Sequence, residues 1–334
     1  MNKLFLHVGP HKTGTTAIQK FLLDNTGACF QQNLFYPRKY IHIFGHHCFR
    51  SVVKERKLNA VEKAFFLDSK HDILLSSEDF ISLDIADFEY LRESLDPLNI
   101  VIVFAWRRAS YKLYSIWQEV IKHGGTIDFF EYYYDHLARP STSQMLSPDL
   151  KLNTFVNVFG KQNVKVLDYD TSRANNSLFQ DFIKVCGLTW NNNFSVSKID
   201  DTAKNQSMQL HDIEIVRALN GVMAKKYDYH GSQVRLAYNQ YKGNLNRVHL
   251  SELVNIIREH THKKVVGNYF IDTRAEKLMQ KRFKENMLNY QDNHQTKPLL
   301  ISSSRWMSNI NVHDLLSSLS NELYNLNMQN NAKN

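Results

Sequence analysis

The chain has 334 residues, 43% of them hydrophobic and 22% charged, and its 12 Gly and 6 Pro are too few for a disordered or collagen-like protein. Its longest apolar runs, such as residues 100–106, are far shorter than the roughly 20 residues of a membrane-spanning helix, so no transmembrane segment is expected. A formal net charge of +8 favours an anionic ligand or surface, and it leaves peripheral contact with a membrane open.

The order of apolar runs predicts an α/β fold. Strands are predicted at residues 4–8, 72–76, 99–105 and 163–167, and helices at 15–23, 111–122 and 177–185. Nearly continuous apolar strands with helices between them favour a parallel sheet covered on both faces. After an Asn-rich connector, helices are predicted at 208–219, 250–259 and 273–287, with no strand between them. We therefore predict an α/β core at 1–190, a mainly helical region at 191–326 that packs on the sheet, and a frayed tail at 327–334.

A loop between the first strand and the first helix is the strongest functional signal. It reads Gly9-Pro10-His11-Lys12-Thr13-Gly14-Thr15-Thr16, at a place where backbone N–H groups and the helix dipole create an anion site. The usual nucleotide-triphosphatase loop has Lys directly after its second glycine, then Ser or Thr for magnesium. Here Thr15 follows Gly14, and the lysine lies inside the loop as Lys12. Lys12 could therefore neutralise charge on a bridging oxygen without a metal.

This loop resembles the 5′-phosphosulfate loop of sulfotransferases that use 3′-phosphoadenosine 5′-phosphosulfate (PAPS), whose pattern is P-K-[ST]-G-T-T; here His11 is inserted after Pro10. The family's second motif, an Arg after a later strand and a Ser eight residues on, is matched by Arg107 and Ser115. Residues 159–170 resemble the family's late strand, and 205–207 show a weaker likeness. Where many eukaryotic relatives carry a Trp that stacks on adenine, this chain has Ala17.

The resemblance implies a P-loop-type parallel sheet and PAPS as the co-substrate. It also implies which residues bind the co-substrate: His11, Lys12, Thr13, Gly14, Thr15 and Thr16 around its 5′-phosphosulfate, and Arg107 and Ser115 on its 3′-phosphate.

Sulfuryl transfer needs a base for the acceptor hydroxyl and positive charge on the departing phosphate oxygen, which Lys12 can supply. Glu78 follows the strand at 72–76, at the strand end where ligands gather in open parallel sheets, and is the preferred base. His46 and His47 are the alternative, as bases or acceptor contacts; His42 and His46 would share one face if that stretch is helical. Zinc is another interpretation of these three histidines, but no nearby Cys or carboxylate completes a ligand set, so no metal is expected.

We therefore predict a PAPS-dependent sulfotransferase that acts on a hydroxyl group, and family tendency favours a carbohydrate acceptor: a glycan, polysaccharide or glycolipid. The region 191–326 is expected to shape the acceptor cleft. Two alternatives stay open, a P-loop kinase that uses Mg-ATP and a non-enzymatic protein that binds an anion or anionic polymer. Thr15 in place of the usual lysine disfavours the kinase. Because no nucleic-acid motif is present, no nucleic-acid partner is expected.

The first residues contain only a short apolar stretch, Leu4 to Leu6, so no secretory signal is predicted. A cytoplasmic location is expected, in which Cys29, Cys48 and Cys186 stay reduced. The sequence gives no oligomeric state.

Overall fold

The structure is a computed structural model that describes residues 2–196, 208–262, 268–290 and 301–332, and the side chains of residues 262, 268–271 and 331 are not described. The weak sequence match at 205–207 lies outside the described residues. Within them the chain has an α/β fold, in which helices flank a five-stranded parallel sheet. The predicted fold class is confirmed.

The sheet has the strand order β2-β3-β1-β4-β5, with all neighbours parallel. Its strands are β1 (Lys3–His7), β2 (Leu34–Phe35), β3 (Asp72–Ser76), β4 (Asn99–Trp106) and β5 (Val164–Asp168). The four predicted strands are confirmed to within one residue at either end. The two-residue strand β2 was not predicted, because so short a run has no measurable alternation.

Helices precede or follow each of the longer strands. They are α1 (Thr15–Asp24), α2 (Thr26–Gln31), α3 (His47–Lys54), α4 (Ala60–Leu67), α5 (Ile85–Ser94), α6 (Ala109–Lys122), α7 (Phe129–Ala138), α8 (Asp149–Phe159), α9 (Tyr169–Ala174), α10 (Leu178–Val185), α11 (Leu210–Tyr227), α12 (Gln233–Tyr241), α13 (Arg247–Glu259), α14 (Asn268–Phe283) and α15 (Val312–Asn331). Short 3₁₀ turns lie at Glu78–Ser82, Lys161–Asn163, Lys242–Asn244, Lys284–Asn286 and Ser304–Ser308. The six predicted helices correspond to α1, α6, α10, α11, α13 and α14.

Two predictions for the second half of the chain need correction. Strands β6 (Thr261–His262) and β7 (Ile301–Ser302) pair in a small antiparallel sheet, although no strand was predicted there. The helix α15 runs to Asn331, whereas a frayed tail was predicted from residue 327. Leu319 and Leu323 on this helix are fully buried, so packing of its apolar face extends the helix.

The chain forms two compact units, each built from three stretches. The first unit, Met1–Arg108, Ser147–Ala203 and Thr273–Gln295, contains the five-stranded sheet. The second unit, Ala109–Leu146, Lys204–Asp272 and Thr296–Asn334, is mainly helical and contains the small sheet of β6 and β7. These units are interleaved along the chain, so they do not coincide with the predicted division into 1–190 and 191–326.

Both faces of the five-stranded sheet are covered. In β1, Leu4 and Leu6 belong to one buried apolar cluster and Phe5 belongs to another. Because side chains alternate along a strand, these clusters lie on opposite faces. Met279 and Phe283 of α14 add to the first cluster, so a late part of the chain completes an early core.

Candidate functional site

The carboxyl ends of four parallel strands meet at one edge of the sheet in the first unit. The loop 8–14 follows β1, the turn 77–79 follows β3, Arg107 follows β4 and Tyr169 follows β5. In open parallel sheets this edge is where ligands bind. The structure thus brings the predicted residues Lys12, Glu78 and Arg107 to the same edge.

The loop after β1 has an unusual backbone. Gly9, Lys12 and Gly14 have φ angles of 77°, 67° and 75°, in the left-handed region. For Lys12, which has a Cβ, this conformation costs free energy, and such residues cluster at functional sites. The Thr13 hydroxyl is fully buried and donates to the Pro10 carbonyl at 2.6 Å, so the loop is fixed from within.

The two glycines are required by close neighbours as well as by their φ angles. A Cβ on Gly9 would lie 3.0 Å from both Cα and Cβ of Glu78, and one on Gly14 would lie 2.9 Å from a ring carbon of Tyr169. The loop therefore packs directly against the segments that follow β3 and β5. This close approach places the Glu78 backbone beside the loop.

The beginning of α1 can accept an anion. Gly14 is the N-cap residue and forms no side-chain cap, and the Ile18 N–H donates to the Gly14 carbonyl at 3.0 Å. In the described part of the chain, the backbone N–H groups of residues 13–17 donate to no backbone carbonyl. Such N–H groups and the helix dipole favour a phosphate or sulfate group at this position.

Arg107 is fixed against the loop. Its Nη1 donates to the Lys12 carbonyl at 2.7 Å, and its Nε lies 3.6 Å from a carboxylate oxygen of Asp170. The guanidinium also lies 5.3 Å from the centre of the Tyr169 ring. Arg107 therefore both stabilises the strained Lys12 backbone and adds positive charge beside the loop. Its predicted partner Ser115 lies on α6, in the second unit, and their joint role stays a prediction.

The next residue, Arg108, has a structural role. It is fully buried, its Nη1 donates to Asp168 at 3.2 Å, and its backbone N–H donates to Asp170 at 2.7 Å. Glu276 on α14 lies 3.6 Å from its Nη2. Burial raises the pKa of the Asp170 carboxyl, and Arg107 and Arg108 oppose this shift. This ion network connects β4, β5 and α14 beneath the site.

Glu78 is half-buried and held in place by α1. Its Oε2 accepts a hydrogen bond from Nε2 of Gln19 at 2.9 Å, and the Gln19 side chain is itself buried. Burial raises the pKa of the Tyr36 hydroxyl, and the nearby charge of Glu78 adds to that shift. The carboxylate thus lies in a defined position at the carboxyl end of β3.

His46 does not fit the role of base. It is fully buried, its Nε2 donates to the Pro37 carbonyl at 2.8 Å, and its Nδ1 accepts the Ser76 N–H at 3.1 Å. Burial lowers its pKa to about 4, so this imidazole is neutral and both ring nitrogens are occupied. The helical face predicted for His42 and His46 is also absent, because His42 pairs with Gly45 in a turn and α3 begins at His47.

His47 contacts the turn that follows β3. Its Nδ1 lies 2.9 Å from Oδ2 of Asp79 and 2.9 Å from Oγ of Ser77. His11, in the loop, reaches the same carboxylate, with its Nε2 3.9 Å from Oδ1 of Asp79. Asp79 therefore connects the loop with the first residue of α3.

Sequence reasoning missed Gln19, Asp79 and Tyr169. The signal for Asp79 was its position directly after Glu78, and for Tyr169 its position directly after β5. Gln19 lies one turn beyond Thr15, where only the folded contact with Glu78 reveals it. Predicted Thr15 is buried and Thr16 is exposed, at the first turn of α1.

Neither a metal cluster nor a membrane span is found in the ranges that the structure describes. No group of three or more His, Cys, Asp or Glu side chains is gathered there for a metal ion. No helix there is both long and apolar enough to cross a membrane.

The fold and this site define an α/β protein in which a loop and the beginning of a helix lie at the carboxyl edge of a parallel sheet. No family model and no curated protein matches the chain. Among solved structures, the chain is similar to a crystal structure of a sulfotransferase from Alicyclobacillus acidocaldarius. The two share 14% identity over 70% of this chain and 99% of that chain, with a TM-score of 0.38. A likeness of this size does not bear on activity.

Proposed function

We propose that this protein is a sulfotransferase that moves a sulfuryl group from PAPS to a hydroxyl group, with a carbohydrate as the acceptor class. The observation that carries the proposal is the loop, in which Lys12 adopts a left-handed conformation and is held through its carbonyl by Arg107. Thr15 stands where a nucleotide triphosphatase has its phosphate-binding lysine. The cytoplasm stays the expected location.

In this proposal the 5′-phosphosulfate is bound at the beginning of α1. The N–H groups of residues 13–17 would bind its oxygens, and Lys12 would stabilise the negative charge that develops on the phosphate oxygen as the bond to sulfur breaks. A charge that is needed most in the transition state lowers the barrier more than it improves binding. No magnesium is required for this step.

Glu78 is the proposed base. Its Cα and Cβ are beside Gly9 of the loop and its carboxylate is oriented by Gln19, so an acceptor hydroxyl that points at the sulfur would transfer its proton to Glu78. The acceptor oxygen then bonds to sulfur, the sulfur–oxygen bond of the donor breaks, and 3′-phosphoadenosine 5′-phosphate (PAP) leaves. His47 is the second residue proposed to act on the acceptor.

Arg107 and Ser115 are proposed to bind the 3′-phosphate that distinguishes PAPS from ordinary adenine nucleotides. The position of Arg107 directly after β4, beside the loop, supports this role. Ser115 enters on sequence alone, eight residues later in the chain.

Calorimetry with PAP, ADP and Mg-ATP tests the proposal. A sulfotransferase should prefer PAP, and Lys12→Ala should leave most of that affinity intact while turnover falls. Lys20→Ala is the matched control, because Lys20 lies on α1, the helix that follows the loop, and pairs with Asp24 at 2.7 Å. A preference for Mg-ATP would instead identify a kinase. If none of the three nucleotides binds, the sulfotransferase proposal is wrong and the non-enzymatic anion-binding protein is favoured.

A further inference from the structure

Asp79 lies between two histidines at the end of β3. Its Oδ2 is 2.9 Å from Nδ1 of His47, and its Oδ1 is 3.9 Å from Nε2 of His11. The Ser77 hydroxyl is also 2.9 Å from Nδ1 of His47 and accepts the backbone N–H of Asp79. The His47 side chain is 21% exposed and that of Asp79 is 41% exposed, so ligands can reach this cluster.

The contact with Asp79 determines which nitrogen of a neutral His47 carries the proton. An ionised carboxylate can only accept hydrogen bonds, so Nδ1 of His47 must donate. Nε2 then has the lone pair, and among the described residues it has no hydrogen-bond partner. By accepting the proton of Nδ1, a carboxylate fixes the tautomer of an imidazole and leaves Nε2 able to accept a hydrogen bond from a ligand.

His46, the preceding residue, has the opposite arrangement. Its Nδ1 accepts a hydrogen bond from Ser76 and its Nε2 donates one to Pro37, so neither nitrogen is available. Adjacent histidines in the same turn thus have different roles. His46 connects the chain before α3 to β3, whereas His47 contacts the turn after β3 through Nδ1 alone.

We propose that Asp79 is a positioning residue that holds His47 with Nε2 as a hydrogen-bond acceptor for a hydroxyl group of the sulfuryl acceptor. This inference rests on the proposed sulfotransfer and adds a residue to it. Glu78 removes the proton from the reacting hydroxyl, and His47 orients the molecule that carries it. Three other histidines in the described part of the chain lie near His47. His11 contacts the Asp79 carboxylate, the ring centre of His42 is 6.4 Å from that of His47, and His46 is the preceding residue, whose pKa the charge of His47 helps to lower.

The tautomer can be measured directly. Long-range proton–nitrogen spectra of the ¹⁵N-histidine-labelled protein at pH 8, well above the usual pKa of histidine, report which ring nitrogen is protonated. We expect His47 to be protonated at Nδ1 in the wild type and to become a mixture of tautomers in Asp79→Ala. Asp79→Asn should keep the wild-type tautomer, because its amide oxygen still accepts the proton. His47→Asn assigns the signal, and His71→Asn, at the other end of β3, is the matched control.

Protonation of His47 at Nε2 in the wild type would overturn the proposal. So would an unchanged tautomer in Asp79→Ala. Neither result depends on whether the protein transfers sulfate, so this measurement separates the failure of the inference from the failure of the proposed function.

Kinetics test the functional half. With PAPS and a methyl glycoside as the acceptor, release of PAP should fall about tenfold in His47→Asn and by a similar factor in Asp79→Ala, the scale of one lost hydrogen bond. Release with water as the acceptor should change little, because water has no further group for His47 to orient. The double variant should be no slower than His47→Asn, because Asp79 acts through His47. Additive losses would overturn the positioning role, as would equal rates in Asp79→Ala and the wild type. Asp68→Asn, an exposed residue at the end of α4, is the control.

Discussion

Replacing Arg107 with Ala should weaken donor binding by about 1.5–3 kcal/mol. The contact that would be lost is the proposed hydrogen bond from Arg107 to the 3′-phosphate. The Lys12 carbonyl holds the guanidinium at 2.7 Å, and the Arg107 side chain is only 19% exposed, so water would screen that contact weakly. A hydrogen bond from a charged group contributes roughly 1.5–3 kcal/mol. Since every 1.4 kcal/mol is tenfold in affinity, the Kd for PAP should rise roughly 10- to 150-fold.

The same replacement removes one of the two cations beside Asp170, whose carboxylate is 8% exposed. The backbone N–H of Arg108 still donates to it, so we expect the free energy of unfolding to fall by no more than about 1–3 kcal/mol. Urea unfolding measures this loss and shows whether the variant is folded when binding is assayed.

Calorimetry should compare PAP with AMP, which lacks the 3′-phosphate, in the wild type, Arg107→Ala and the control Arg173→Ala. Arg173 is an exposed arginine of α9. The wild type should prefer PAP, and Arg107→Ala should lose most of that preference. Equal PAP affinities in Arg107→Ala and Arg173→Ala, with both proteins folded, would refute the reasoning.

Three further predictions concern the loop, the base and the buried imidazole. Lys12→Ala should lower kcat far more than it raises the Kd for PAP, and wild-type activity should persist in EDTA; a change confined to KM would contradict the role. Glu78→Gln should lower kcat by about two to four orders of magnitude with PAP binding intact, and near-normal turnover would remove Glu78 as base. His46 has a folded pKa of about 4, below the usual 6.5, so only the unfolded chain takes up its proton between these values. His46 therefore contributes a loss of about 2 kcal/mol between pH 7.5 and 5, and buried His7, whose pKa is lowered to about 3, adds a loss of the same sign. Urea curves should show a loss of stability over this range, and His46→Asn should reduce it by about 2 kcal/mol.

The parts of the site that could be predicted are those with a local signal. The glycine spacing, the position of Lys12 and the place of Arg107 after a strand are all visible within a few residues of sequence. The contacts that hold Glu78 are different, because Gln19 is 59 residues away in the chain and meets it only in the folded sheet.

The histidines illustrate the same point. The spacing in the sequence grouped His42 with His46. In the structure His46 is buried and bonded to Ser76 of β3, His42 pairs with Gly45 in a turn, and His47 lies at the edge of the site. The sequence also did not predict the two interleaved units. The spacing of apolar residues indicates that a helix has a buried face, but it does not indicate which unit that face packs against. Residues 273–283 of α14 have the same amphipathic pattern whether they join the first unit or the second.

The late position of α14 has a consequence for how the protein is made. All five strands of the sheet have been synthesised once translation reaches Asp168. Met279 and Phe283, which cover one face of that sheet, are synthesised more than a hundred residues later. Glu276, a partner of the buried Arg108, arrives in the same stretch. During synthesis a nascent sheet must therefore wait with part of its apolar face uncovered. A fragment that ends at residue 190 would contain the sheet with this part of its apolar face uncovered, and we expect that fragment to aggregate.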